Sequence, residues 1–162
     1  MEGGKFTDKL EPLCVLDVAG GTGDISFKIL EKAKLDNPHS TTLAVDITVS
    51  DINADMLEVG KKRAVEQGFY HDLKFMVANA EELTEVKSDS LDLYTVAFGI
   101  RNVTDRDKAL REAHRVLRKG GRFMCLEFSE VVVPGFKQFY DYYSFNAIPE
   151  LGHQIANDRD SY

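Results

Sequence analysis

The chain has 162 residues, of which 43% are hydrophobic and 29% charged, with a formal net charge of −7. This is the length of one globular domain with enough apolar residues for a core, and its acid excess argues against a protein that coats nucleic acid, whose footprint is a basic face. No stretch reaches the roughly 18 apolar residues of a membrane-spanning helix, and the start MEGGKFTDKLEP has neither a signal-peptide core nor an arginine-rich leader.

Residues 1–12 read as a tail. CVLDVAG (14–20) is a strand with apolar residues on both faces. GDISFKILEKAKL (23–35) sets Ile25, Ile29 and Leu30 on a helical period, with Phe27 and Ala33 widening the stripe. TLAVDITVSD (42–51) alternates Leu43, Val45, Ile47 and Val49 with Asp46, Thr48 and Ser50, which predicts a second strand. ADMLEVGKKRAVEQG (54–68) is a helix closed by Gly68. LKFMVAN (73–79) and LDLYTVAFG (91–99) are the third and fourth strands. DRDKALREAHRVLR (105–118) is an amphipathic helix with Ala109, Leu110, Ala113, Val116 and Leu117 inward. Thr104 or Asp105 caps it, and Gly120 and Gly121 stop it. RFMCLEFSEVVV (122–133) is the fifth strand. The aromatic run FYDYYSF (139–145) belongs to a helix around 136–147, with Phe139, Tyr142 and Tyr143 toward a core or, alternatively, toward a partner.

This alternation predicts an α/β fold with a doubly wound, mostly parallel sheet over 13–133 and an aromatic-rich segment over 134–162. Cys14 and Cys125 lie in apolar runs and are expected as buried thiols. With no CxxC pair and no Cys/His cluster, no metal site is expected. None of the four histidines has a catalytic context.

In doubly wound sheets ligands bind beyond the carboxyl ends of the strands, near the switch in strand order. AGGTGD (19–24) falls there. Gly21 and Gly23 fit the dinucleotide fingerprint, but Ser26 stands where its third glycine would be. The spacing is instead Asp17-x-Ala19-x-Gly21-x-Gly23, an acid followed by small residues at alternate positions. It resembles the loop of the Rossmann-like class I S-adenosylmethionine methyltransferases, whose cofactor would then lie against Asp17, Gly21 and Gly23. The carboxylate of Asp24 suits a cationic sulfonium better than a pyrophosphate. An NAD-dependent enzyme and a purely structural turn are the alternatives.

An acid ending strand two would accept the ribose hydroxyls. Spacing from Gly23 favours Asp46; the strand pattern favours Asp51, which ends the run, and Asp51 is preferred. Asn79 and Ala80 of ANAEEL would meet an adenine edge, unless the stretch is a plain polar loop. AFGIRNVTD puts Phe98, Gly99, Arg101 and Asn102 on the crevice rim. Arg101 and Asn102 would hold substrate oxygens or position water, with a surface ion pair as the alternative for Arg101.

LDVAGGTGDISF, SDINADMLEVG, ANAEEL, AFGIRNVTDRDKALREAHRVLRKGGRFMCLEFS and YDYYSFNAIPELGHQIANDRDSY together resemble the ubiquinone/menaquinone biosynthesis C-methyltransferases over nearly all of 13–162. Lys119 departs from that family's usual proline. The resemblance implies a class I fold and S-adenosylmethionine held by Thr22, Asp51, Asn79 and Ala80. It also implies methylation of a ring carbon of a polyprenylated benzoquinol or demethylmenaquinol, with Arg101 at the ring oxygen. It further implies peripheral membrane contact or a quinone biosynthesis complex, on the matrix face of the mitochondrial inner membrane in a eukaryote or in the cytoplasm of a bacterium. The family has an N-terminal segment and further strands beyond the five read here. The chain is therefore expected to be a shortened or partial form, and a catalytically incomplete or nonenzymatic subunit is the alternative.

Overall fold

Strands apolar on both faces need cover on both sides, and the sheet is built that way. The structure is a computed structural model describing residues 12–36, 38, 44–128, 136–147 and 150. The strands are β1 (Leu13–Val18), β2 (Val45–Asp51), β3 (Leu73–Val77), β4 (Leu91–Ala97) and β5 (Leu117–Leu126). All pair in parallel, in the order β3-β2-β1-β4-β5. The order reverses between β1 and β4, where Val18 is in register with both Ser50 and Val96.

Helices α1 (Asp24–Asp36) and α2 (Ala54–Glu66) cover one face, and α3 (Arg106–Val116) covers the other. Side chains alternate along β1 accordingly. Val15 packs with Phe27, Leu30, Ile47 and Ala64, whereas Leu16 and Val18 pack with Tyr94, Val96, Ala113 and Val116. Local signals set the helix ends. The Asn53 side chain accepts the N–H groups of Asp55 and Met56, and Gly68 follows α2 at φ +74. Asp105, one of the two expected caps, accepts the N–H of Lys108 at 2.9 Å.

Four expectations change. Helix α3 ends at Val116 and β5 starts at the next residue, so Gly120 and Gly121 lie inside the strand. The register there jumps from Leu91–Leu117 to Leu93–Arg122. Gly120 has φ +83, and a Cβ on Gly121 would stand 2.9 Å from two carbonyl oxygens, so the pair builds a bulge instead of a helix stop. Leu110 faces outward at 44% exposure. Cys125 is exposed on the edge strand, while Cys14 is half-buried. Tyr142 and Tyr143 are exposed, not core-facing.

The chain forms two compact units, Met1–Glu127 and Phe128–Tyr162. In the second, α4 (Phe136–Tyr142) continues as a π-helical turn over Tyr143–Ala147. The expected strand residues 129–133, and Leu43, lie outside the described residues. Among the described residues no helix is long and apolar enough to cross a membrane.

Candidate active site

The glycine loop is held from below by a buried carboxylate. Asp17, 1% exposed, accepts the hydroxyls of Ser26 and Thr95, each at 2.7 Å. Burial pushes its carboxyl above the usual range, and those two hydrogen bonds oppose the shift. Ser26 is fully buried in this contact, which accounts for a serine where a dinucleotide loop would have glycine. Above Asp17 the chain leaves β1 with Ala19 at φ 51 and Gly21 at φ 53. Space is scarce around it. A Cβ on Gly20 would come within 2.8 Å of Val49, and one on Gly60 of α2 would touch the Gly21 carbonyl at 3.3 Å.

Arg63 of α2 ties the loop from outside. Its guanidinium donates to the Thr22 carbonyl at 3.3 Å and to both Asp24 oxygens, at 3.1 and 2.7 Å. Thr22 donates its hydroxyl to Asp24 at 2.8 Å. Arg63 and Thr22 hold the Asp24 carboxyl below its usual range. The Asp24 carboxylate, expected to suit a cationic ligand, is paired with Arg63, 39 residues later.

Beyond the carboxyl ends of β1, β2 and β4 lies a cavity of about 500 Å3, within the range of small-molecule sites. Val18, Ala19 and Gly21 form its base; Asp51, Ile52 and Met56 form one side. Asp51 accepts the Gly21 N–H at 2.9 Å and the Asn53 N–H at 2.8 Å, one on each oxygen. Asp46, the other candidate, is the second residue of β2, at the end opposite Asp51, and is paired with Lys74 at 2.6 Å, away from the cavity.

The opposite side is the turn after β3, with Asn79, Ala80 and Glu81. Asn79 Oδ1 accepts the Glu81 N–H at 2.9 Å. Glu81 Oε1 accepts the N–H groups of Thr104 and Asp105, at 3.0 and 3.1 Å. The rim between β4 and α3 adds Phe98, Gly99, Asn102 and Thr104. Phe98 sits at φ 55, a left-handed angle costly for a bulky residue. Gly99 is obligatory, because a Cβ there would lie 2.4 Å from that of Ala19.

Of the residues singled out in the sequence, Gly21, Asp51, Asn79, Ala80, Phe98 and Asn102 come together around the cavity. Asp17, Thr22 and Gly23 shape the loop without lining it. Arg101 also lies off the cavity wall, its guanidinium 2.9 Å from Glu127. Ile52, Met56 and Glu81 were not singled out. Met56 had a signal, three residues past the Asn53 cap. Glu81 had none, since its partners are backbone groups 23 and 24 residues away. Among the described residues the ionisable side chains lining the cavity are Asp51 and Glu81, and no Lys, Arg or His lines it.

Residues 4–162 match the ubiE/COQ5 methyltransferase family. The chain is 52% identical over 147 residues to the ubiquinone/menaquinone biosynthesis C-methyltransferase UbiE of Brucella abortus, covering 91% of this chain and 51% of that protein. With UbiE of Bartonella tribocorum it shares 55% over 148 residues, covering 91% and 54%. The chain thus spans about half the length of these relatives. Among solved structures it superposes on the YcgJ protein of Bacillus subtilis with a TM-score of 0.62 at 25% identity, over 82% of this chain and 51% of that one. The trans-methyltransferase CalH, in its complex with SAH, has the same fold at a TM-score of 0.63 and 16% identity, over 81% and 35%.

Proposed function

The chain belongs to the ubiE/COQ5 methyltransferase family, and from that premise we propose that its cavity binds S-adenosylmethionine and that the whole protein C-methylates the ring of a polyprenylated benzoquinol or demethylmenaquinol. The observation that carries the reading is the Asp51 carboxylate, which ends β2 and lines the cavity, while among the described residues no Lys, Arg or His lines it. Among the described residues a pyrophosphate would find no counter-charge there, whereas a sulfonium with an ammonium group suits a carboxylate. S-adenosylmethionine would be held by Asp51, Asn79 and Ala80 and would supply an electrophilic methyl group to an electron-rich ring carbon, which would give up its own hydrogen as a proton in exchange, with S-adenosylhomocysteine as the co-product.

The residues divide the binding work. Each Asp51 oxygen has one lone pair taken by a backbone N–H and another left for a ribose hydroxyl. The Asn79 amide NH2 and the small Ala80 serve the adenine side. The backbone of Gly21 lets the ligand approach closely. Phe98 and Asn102 line the side proposed for the quinol. Arg101 cannot act as a base, since its guanidinium stays protonated. Its part would be to leave Glu127 and polarise a ring oxygen directly or through water. The relatives reported above are bacterial, so of the two locations considered we propose the bacterial cytoplasm. Peripheral membrane contact and complex formation are proposed for the whole protein through the polyprenyl tail.

The test is calorimetric titration of the 162-residue chain with S-adenosylmethionine and, separately, NAD. Binding of the first alone is expected. Asp51→Ala should weaken it at least about tenfold, the scale of a charge-assisted hydrogen bond, and Arg101→Ala should leave it unchanged. NAD binding, or an Asp51→Ala chain that binds as well as wild type, would overturn the assignment. Binding without methyl transfer by this chain would favour the reading as an incomplete or nonenzymatic subunit.

A further inference from the structure

We infer that Glu81 is a positioning residue that sets the spacing between the turn after β3 and the rim at the cavity mouth, an inference that rests on the cavity taking S-adenosylmethionine. Its backbone N–H is held by Asn79 Oδ1 at 2.9 Å, on the side proposed for adenine. Its carboxylate holds the Thr104 and Asp105 N–H groups, at the end of the rim proposed for the quinol. Asn79, Glu81 and Thr104 all line the cavity.

Neither loop needs this link to fold. Helix α3 has its own cap in Asp105, bonded to the Lys108 N–H. The chain after Glu81 is fixed independently: Glu112 accepts the Leu83 N–H at 2.8 Å, and Arg115 donates to the carbonyls of Leu83 and Val86. The rim holds itself together as a short 3-10 turn, with the Asn102 N–H on the Gly99 carbonyl and the Val103 N–H on the Ile100 carbonyl. It can therefore move as a unit, and the two bonds to Glu81 tie its far end across the cavity mouth. Losing them hands Thr104 and Asp105 to water without unfolding either loop.

Charge and reach separate in three variants. Glu81→Gln keeps an acceptor oxygen at the same reach and drops the charge. Glu81→Asp keeps the charge and shortens the reach, and Glu81→Ala loses both. Two readouts apply: amide exchange at Thr104 and Asp105 by NMR, and calorimetric titration with S-adenosylmethionine. Slow exchange is expected in wild type and Glu81→Gln, and on the order of tenfold faster exchange in Glu81→Asp and Glu81→Ala. Affinity should follow the same split. Glu81→Gln should stay close to wild type and the other two fall about tenfold. If Glu81→Gln weakens binding as Glu81→Ala does while Glu81→Asp does not, the residue acts by charge and the inference fails. Faster exchange with unchanged affinity in Glu81→Ala would overturn it too. If wild type binds no S-adenosylmethionine, the proposed function falls, and amide exchange alone decides the brace: equal rates in all four chains would refute it.

Discussion

The glycine-loop side of the cavity and the rim side are held by different physics. The glycine loop is wedged: beneath it Ser26 and Thr95 donate to Asp17, the three being 0%, 5% and 1% exposed, and the glycine at position 20 has no room for a methyl group. The turn after β3 and the rim are instead tied by carboxylate and guanidinium groups open in part to solvent, Glu81, Glu112 and Arg115. Close packing has no slack, so the first side is preformed. Partly solvated ties exchange with water at modest cost, so the second side can adjust.

Gly99→Ala should break the comparison most strongly, because that is where the two sides touch. The added carbon would sit 2.4 Å from the Ala19 Cβ, and Ala19 is pinned at φ 51. Overpacking of this kind costs about 3 kcal/mol, read as a lower urea midpoint, and should abolish binding of S-adenosylmethionine. Gly68→Ala is the control: nothing lies within 4 Å, but φ is +74. It should lose about 1 kcal/mol from backbone strain and leave binding alone. Equal binding losses in the two variants would mean that the cavity responds to general stability and not to this contact.

Asp17→Ala comes next. It strands the Ser26 and Thr95 hydroxyls in the core, a loss of about 2 kcal/mol. Asp17→Asn should cost less, because a hydroxyl can rotate to accept from the new amide. If both variants unfold at the wild-type midpoint, the wedge is not what holds the loop.

The two sides were unequally legible in the sequence, for the same reason that they differ physically. The wedge is local apart from Thr95, 78 residues past Asp17: Asp17, Gly21, Gly23 and Ser26 lie within ten residues, and small residues at alternate positions after a strand describe a tight turn by themselves. The alternation of Val15, Leu16 and Val18 gave the doubly wound sheet, and Asp51 stood out by ending its strand. The ties are non-local. Nothing in ANAEEL announces that Glu81 caps amides at Thr104 and Asp105, or that Arg63 neutralises Asp24. Gly120 and Gly121 misled because a helix stop and a strand bulge use the same residues, and only the pairing of Leu91 with Leu117 tells them apart. Cys125 reads as buried in FMCLEF, yet it lies on the edge strand and is exposed.

The smallest effect sharpens the comparison through pH, because the two sides titrate with opposite signs. Arg115, and to a lesser extent the Leu83 N–H, hold the Glu112 carboxyl below its usual range. The folded chain therefore binds that proton less readily than the unfolded chain. Its contribution is present above the unfolded pKa, about 4.3, and is lost as pH falls through the folded value. Asp17 is raised by burial, so its contribution is present below the unfolded pKa and lost as pH rises through the folded one. Glu112→Gln should thus cost about 1 kcal/mol at pH 7, with the gap to wild type closing once the buffer falls below about pH 4. For Asp17→Asn the gap to wild type should instead widen on acidification, since only wild type gains from protonating Asp17. Urea midpoints of the three chains from pH 7 to about pH 3 read both trends. Parallel curves would show that neither carboxyl is perturbed by folding, and that the wedge and the tie do not differ in their electrostatics.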